Sequence, residues 1–392
     1  MNGLAMNFRS DSIRGRLLVA GLLALLVSMA GAFFDRQQFF RAYLTAYLFT
    51  IGFPLGSLAI LMLHHLVGGR WGFVTQRVLE AAVGTLPLAA LLFLPLLFGM
   101  SDLYLWARPE AVSADPILQQ KAAYLNLPFF WTRAAIYFSS WIILGHLLRK
   151  WSAEQDRTAE VSLTERLQTL SGPGLVLFGF TVTFSAIDWV MSLEPHWYST
   201  IYGLIFVVND SLAALAMAIC AASLLAQREP LSQAAGSDRF HDLGNLLLAL
   251  VMLWAYLGFS QFMLIWVENL REEIPWILHR STGGWEIVAL LLVIGKFVLP
   301  FALLLGRSTK RNARYLACVG FLILAMHWID LYWLVAPAFH SDGFNIHWLD
   351  FAMLIGIGAI WLTVFLWRLE GRALLPLHDP RFAEEIARVQ KV

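Results

Sequence analysis

The chain has 392 residues, of which 59% are hydrophobic and only 14% charged, with a mean hydropathy of +0.65, whereas soluble proteins carry roughly 25% charged residues. Most of this surface must therefore face lipid rather than water. A net charge of +1 excludes a nucleic-acid partner recruited by charge. Cys220 and Cys318, the two cysteines, both fall in apolar runs, which excludes a disulfide framework and a Cys-held metal or iron–sulfur site.

A helix needs about 20 apolar residues to cross the hydrocarbon core. Ten segments meet this in chain order: residues 17–34, 42–67, 78–100, 128–148, 171–193, 202–226, 242–267, 285–305, 313–336 and 348–367. The expected fold is an all-α polytopic bundle of ten transmembrane helices, forming one membrane domain over residues 1–392. The longer polar pieces, residues 101–127, 149–170, 227–241 and the tail from 368, are too short to bury cores of their own.

The first segment has a rival reading as a cleavable signal peptide, because Arg9, Arg14 and Arg16 precede an apolar run that reaches Ala30-Gly31-Ala32. Phe33 and Phe34 continue the apolar run past that point, and removal would leave an odd number of spans, so retention is expected. With ten spans both termini share a side. Of the 28 Lys and Arg residues, 20 lie on that side and six on the other, which predicts cytoplasmic termini.

Position along each span then becomes depth, at about 1.5 Å per residue. The fifth span runs outward and ends on Asp188 and the SLEPHW stretch with Glu194; the sixth returns inward and carries Asn209 and Asp210 about 12 Å below its outer end. Lys296 lies near the middle of the eighth, and His327 and Asp330 in the outer half of the ninth. Asp350 opens the tenth, and Glu268, Glu272, Glu273 and Glu286 rim the same side. His64 and His65, Glu80 and His146 sit toward the inner side. The three-residue spacing of His327 and Asp330, and of Ser185 and Asp188, puts each pair on one helix face. Together these groups describe two half-paths for protons.

Ionisable groups in lipid are costly and mark function, but each has a plainer reading. Asp188, Glu194, Glu268 and Asp350 lie near span ends, where a carboxylate caps a helix or meets interfacial water. Asp210, Asp330 and Lys296 could satisfy one another as structural ion pairs, His64 and His65 could anchor the interface, and Arg133 could snorkel outward. Trp189, Trp197, Trp276, Trp285 and Trp348, at span ends, read as an aromatic belt, and Pro54, Pro87, Pro95 and Pro300 as kinks. Bis-His haem needs histidines deep in facing helices, and only His327 lies that deep. No P-loop or dinucleotide-binding glycine pattern occurs, so no resident metal or redox centre is expected.

Three stretches carry a family resemblance: IDWVMSLEPHWYSTIYG from Ile187, LGNLLLALVMLWAYLGFSQFMLIWVENLREEIPW from Leu243 and LPFALLLGRSTKR from Leu299. They resemble the polysulfide-reductase-type (NrfD-like) membrane subunits of alternative complex III, a bacterial quinol:cytochrome c oxidoreductase. Length and the ENLREEIPW segment are similar to the shorter, F-type subunit, called quinone-binding subunit 2, rather than to its C-type sister. The resemblance implies an inner-membrane location and a partner set: an iron–sulfur subunit, multihaem and monohaem cytochromes c, and the sister C-type subunit. Haem c and iron–sulfur clusters would belong to those partners, with no catalytic residue in this chain alone. It implies quinol oxidation, of menaquinol or ubiquinol, near the outer face, mainly in the C-type subunit, with the F-type contributing a proton path. The residues expected to carry protons are Asp188, Asp210, His327 and Asp330, with Lys296 as their central partner and His64, Glu80 and His146 toward the inner side. A proton-coupled secondary transporter and a purely structural anchor are the competing readings; the first predicts inverted repeats, and no convincing repeat is visible.

Overall fold

The structure, a computed structural model, describes residues 11–226, 236–340, 343–370, 374–376 and 379. The loop 227–241 and the tail from 368 therefore lie partly outside the described residues, as does Arg9. Among the described residues there is no strand, and ten helices are long and apolar enough to cross a bilayer. They are α1 (Asp11–Ala32), α2 (Arg36–Val67), α3 (Trp71–Leu103), α4 (Leu127–Thr158), α5 (Ser162–Leu193), α6 (Tyr202–Leu225), α7 (Ser237–Glu268), α8 (Trp285–Leu305), α9 (Ala313–Ala338) and α10 (Trp348–Leu369). Each coincides with one of the ten expected spans.

The ends differ where polar residues continue a helix past its apolar run. α4 goes on through RKWSAEQDRT to Thr158 and stops at Ala159, whose φ of 54° lies in the left-handed region. Ends are capped by side chains where the chain must turn: Asp35 accepts from Gln38 N, and Asn126 from Phe129 N. Such caps satisfy backbone N–H groups that the helix itself leaves free. The stretch expected as the loop 101–127 holds two short helices, Pro109–Ala114 and Pro116–Lys121.

The prolines act as expected in part. α2 continues unbroken through Pro54. In α3 the helix is interrupted near Pro87 and relaxes to a 3₁₀ stretch, Leu94–Gly99, that contains Pro95. In α8 a π-helical turn, Val293–Val298, precedes Pro300. A proline ring excludes the carbonyl four residues before it and removes a donor, and a π turn is one way for a helix to absorb that loss.

α2 and α6 form the centre, with 89% and 83% of their apolar windows buried, whereas α1 is 17% buried and packs along α10. Lipid offers no hydrophobic drive between helices, so close backbone approach of small residues holds them together. α6 supplies Ala213, Ala214, Ala216, Ala218 and Ala222, all buried, and Gly56 of α2 lies against the Asp210 backbone. Arg14 at the start of α1 pairs with Glu370, just past α10, at 2.5 Å, so the first and last helices begin and finish at one end of the bundle, the terminal end.

The aromatic belt is a correction. Trp189, Trp197, Trp276 and Trp285 are buried, and only Trp348 of the five is exposed. Trp189 packs among Tyr47, Phe93, Phe138 and Trp141, while Trp197 stacks on Trp276 with centroids 4.4 Å apart. An apolar ring at a helix end fits protein and lipid interface equally well, so sequence position could not separate them.

Candidate functional site

Three long helices bring a charged cluster into the middle of the bundle. α6 contributes Asn209 and Asp210, α8 contributes Lys296 from within its π turn, and α9 contributes His327 and Asp330, all of them buried. Lys296 Nζ donates to Asp330 Oδ2 at 2.7 Å and to Asn209 Oδ1 at 2.5 Å. His327 Nδ1 lies 3.2 Å from the same Asn209 oxygen, and Trp254 of α7 donates its indole N–H to Asp330 Oδ2 at 3.3 Å. The ammonium also sits 4.8 Å from the Trp254 ring centroid.

Gly52 of α2 leaves room for the remaining carboxylate. A Cβ there would stand 2.8 Å from Asp210 Oδ1 and 3.2 Å from His327 Nε2, so both atoms face the same glycine. His327 Nε2 and Asn209 Nδ2 are buried without a hydrogen-bond partner. Among the described residues none donates to the Asp210 carboxylate, although it feels the Lys296 charge. His327 and Asp330 share a face as expected but make no direct bond; Asn209 and Lys296 connect them. The cluster thus has one cation, two carboxylates and an imidazole with an open ring nitrogen, a set able to hold and pass a proton.

Asp188 is placed elsewhere. Arg133 Nε and Nη2 each donate to it at 2.8 Å, Tyr137 donates its hydroxyl at 2.8 Å, and the guanidinium lies against the rings of Tyr124 and Phe129. Arg133 does not snorkel outward; its fork is pulled into a bidentate pair. Ser185, on the same face, bonds the Val182 carbonyl rather than Asp188.

Toward the terminal end, Glu80 is fully buried and accepts from Arg77 at 2.9 Å, Gln76 at 3.1 Å and Ser152 at 2.6 Å. Arg77 reaches on to Asp156 at 2.6 Å. His64 and His65 are buried nearby in the chain's α2–α3 corner, with His64 against Trp71 and Phe73. His146 is exposed on α4 and joins neither group.

Two features escaped the sequence reading. Glu194, weighed as an end cap, is clamped by Arg280 Nη2 at 2.6 Å and by His279 at 3.2 Å, and Arg280 itself is buried, 2% exposed. Beside it lies a cavity of about 720 Å³ between α6, α7, α8, α9 and the short helix Ile274–Ser281. The amphipathic run IPWILHRS was the available signal, since a positive charge in a stretch of tryptophan and isoleucine asks for a partner. No protein-family model matches this chain, and a search of curated proteins found no match either.

Proposed function

We propose that this chain is an integral membrane subunit of a bacterial respiratory quinol:cytochrome c oxidoreductase of the alternative complex III type, resembling its F-type subunit. In this reading it holds a protonatable cluster in mid-membrane while an iron–sulfur subunit, cytochromes c and a sister membrane subunit carry the electrons. The observation that carries the proton role is the Lys296–Asn209–Asp330 network with His327 and Asp210 beside it, deep inside ten membrane-length helices. The sequence stretches around Asp188, Trp254 and Pro300 carry the family reading. The charge bias supports cytoplasmic termini in the bacterial inner membrane.

Burial favours the neutral form of an acid or base, and an opposite charge favours the ionised form. Lys296 is ion-paired with Asp330 and close enough to Asp210 to feel its charge, so a change of field from quinol chemistry in the assembly would shift a proton between the carboxylates or onto His327. The Arg77–Glu80–Ser152 group would serve the cytoplasmic side. The Arg133–Asp188 pair has a different role: its bidentate, ring-covered geometry supports a structural clamp. Its loss would lower assembly yield rather than turnover.

The test is purification from native membranes in mild detergent, followed by a reduced-minus-oxidised spectrum, a quinol:cytochrome c assay, and proton release in reconstituted vesicles. Haem c bands and quinol-dependent reduction are expected. Asp210→Asn is expected to keep assembly and weaken proton release per electron; unchanged coupling would remove Asp210 from the path. A haem-free lone chain would overturn the assembly reading in favour of a transporter.

A further inference from the structure

The cavity beside the Glu194–Arg280 pair, about 720 Å³ in volume, lies within the range of roughly 300–1,000 Å³ typical of small-molecule sites, and it opens sideways. Tyr256, Phe259 and Phe262 of α7 and Val293 of α8 line it and are also exposed, in helices of membrane length. Its mouth therefore meets the hydrocarbon of the bilayer rather than water.

The charges in its wall are already met within the protein. Arg280 donates to the Trp276 and Leu334 carbonyls and to Glu194, and its Nε is buried. Asp330 accepts from Lys296 and from the Trp254 indole. What the wall leaves over are groups able to donate: the Gln261 amide, whose Oε1 is taken by the Ser199 hydroxyl, the Tyr202 hydroxyl and the Trp276 indole, for none of which a described residue supplies an acceptor. All three stand toward the end of the bundle opposite the termini, since Tyr202 opens α6, Trp276 lies in the short helix Ile274–Ser281, and Gln261 lies two turns before Glu268 at the end of α7. Farther from that end the wall is apolar, with Met252 and Phe297. A hydrocarbon tail alone would leave the donors unpaired, which is costly for buried groups. A ligand with acceptors but no donors at that depth, and a long apolar tail below, satisfies both parts.

The rim selects a charge. Glu268 ends α7, and Glu272 and Glu273 follow in the connection to the short helix, with Arg271 beside them and Lys121 within reach of Glu272. Desolvation first, then the charges of Glu268 and Glu272, hold the Glu273 carboxyl above the usual carboxylate range. These carboxylates crowd one another, so a cation among them is favoured and a further anion is not. Glu268 stands about 10 Å along the helix from Gln261, comparable with a headgroup layer of roughly 5–8 Å on each side of the hydrocarbon.

We infer that the cavity holds one phospholipid with a zwitterionic, ammonium-bearing headgroup of the phosphatidylethanolamine kind. One acyl chain fills the aromatic slot, ester carbonyls accept from Gln261 and Tyr202, and the ammonium faces Glu268, Glu272 and Glu273. The site rests on the ten membrane-length helices and not on the respiratory reading, so either can fail without the other.

The experiment uses the full chain with whatever subunits co-purify, stripped of loosely held lipid in detergent, offered equal amounts of phosphatidylethanolamine and phosphatidylglycerol, and weighed by native mass spectrometry. Gly258 lines the cavity, and a Cβ there meets nothing within 4 Å, so Gly258→Phe fills the slot without disturbing a polar contact. One retained phospholipid per chain is expected, with phosphatidylethanolamine favoured about fivefold, retention lowered roughly tenfold in Gly258→Phe and severalfold in Gln261→Leu. Retention of neither lipid, or equal retention in wild type and Gly258→Phe, would overturn the site, and a preference for phosphatidylglycerol would overturn the headgroup assignment. A photoreactive benzoylphenylalanine at position 258, irradiated in the native membrane, identifies the occupant independently of detergent. An adduct with the mass of a phospholipid is expected; a quinone or a polypeptide in its place would overturn the inference.

Discussion

Lys296 shows how a single side chain can be both stabilising and a liability. Fully buried, it depends on Asp330 and Asn209, and removing one partner of a buried ion pair typically costs about 3–5 kcal/mol, because the other charge is left uncompensated. Replacing both by apolar residues of similar volume is often neutral. Lys296→Met alone should therefore lower the thermal midpoint in detergent sharply, and Lys296→Met with Asp330→Leu should recover much of the loss. Simply additive effects would show that the two do not form an energetic pair. Asp188 obeys the same rule with a different partner set. Its clamp on Arg133 combines a planar fork with ring stacking, which a lysine cannot reproduce. At this scale the costly residues were legible in the sequence: a carboxylate or lysine within a run of apolar residues is visible without any structure. Their partners were not, since Lys296 and Asn209 are 87 positions apart.

At the scale of elements, helix contacts are set by where side chains are absent. A Cβ on Gly56 would stand 1.9 Å from the Asp210 carbonyl oxygen and 2.3 Å from its carbon, backbone atoms that cannot swing away. Gly179 in α5 has nothing within 4 Å. Gly56→Ala should separate α2 from α6 and cost about 3 kcal/mol or more, toward the upper range of overpacking, whereas Gly179→Ala should be neutral or gain up to about 1 kcal/mol. Equal thermal midpoints for the two variants would refute close α2–α6 packing. A second element-scale test concerns the connection between α3 and α4. Asp115 caps the helix Pro116–Lys121 and accepts from His196 at 2.6 Å. Desolvation pushes its carboxyl up, but the His196 bond and the Ile117 and Leu118 N–H groups outweigh this and hold it below the usual carboxylate range. A depressed folded value means the contribution is present above the unfolded pKa and fades as pH falls through the folded one. The protection of the Ile117 and Leu118 amides against hydrogen exchange, taken relative to the intrinsic rate at each pH, should therefore fall on acidification below the ordinary carboxyl range, and Asp115→Asn should abolish that dependence. An identical acid response in the variant would assign it to another group.

On the scale of the whole molecule, the shared end of α1 and α10 and the bias of basic residues make one statement about orientation. Reporters fused at residue 392 should be active only in a cytoplasm-specific form, and one inserted between Glu110 and Ala111 only in a form specific to the opposite side. The reverse pattern would invert the inner and outer roles of every group named above. Ten helices, their approximate positions and the expensive polar residues followed from sequence alone, because crossing lipid demands about 20 apolar residues and makes every charge conspicuous. Tertiary structure alone decided which apolar face meets protein and which meets lipid, since both solvents select the same residues. It therefore decided that four of the five span-end tryptophans considered are core, that Asp188 belongs to Arg133, and that Asp210, Lys296, His327 and Asp330 converge in the middle of the bundle.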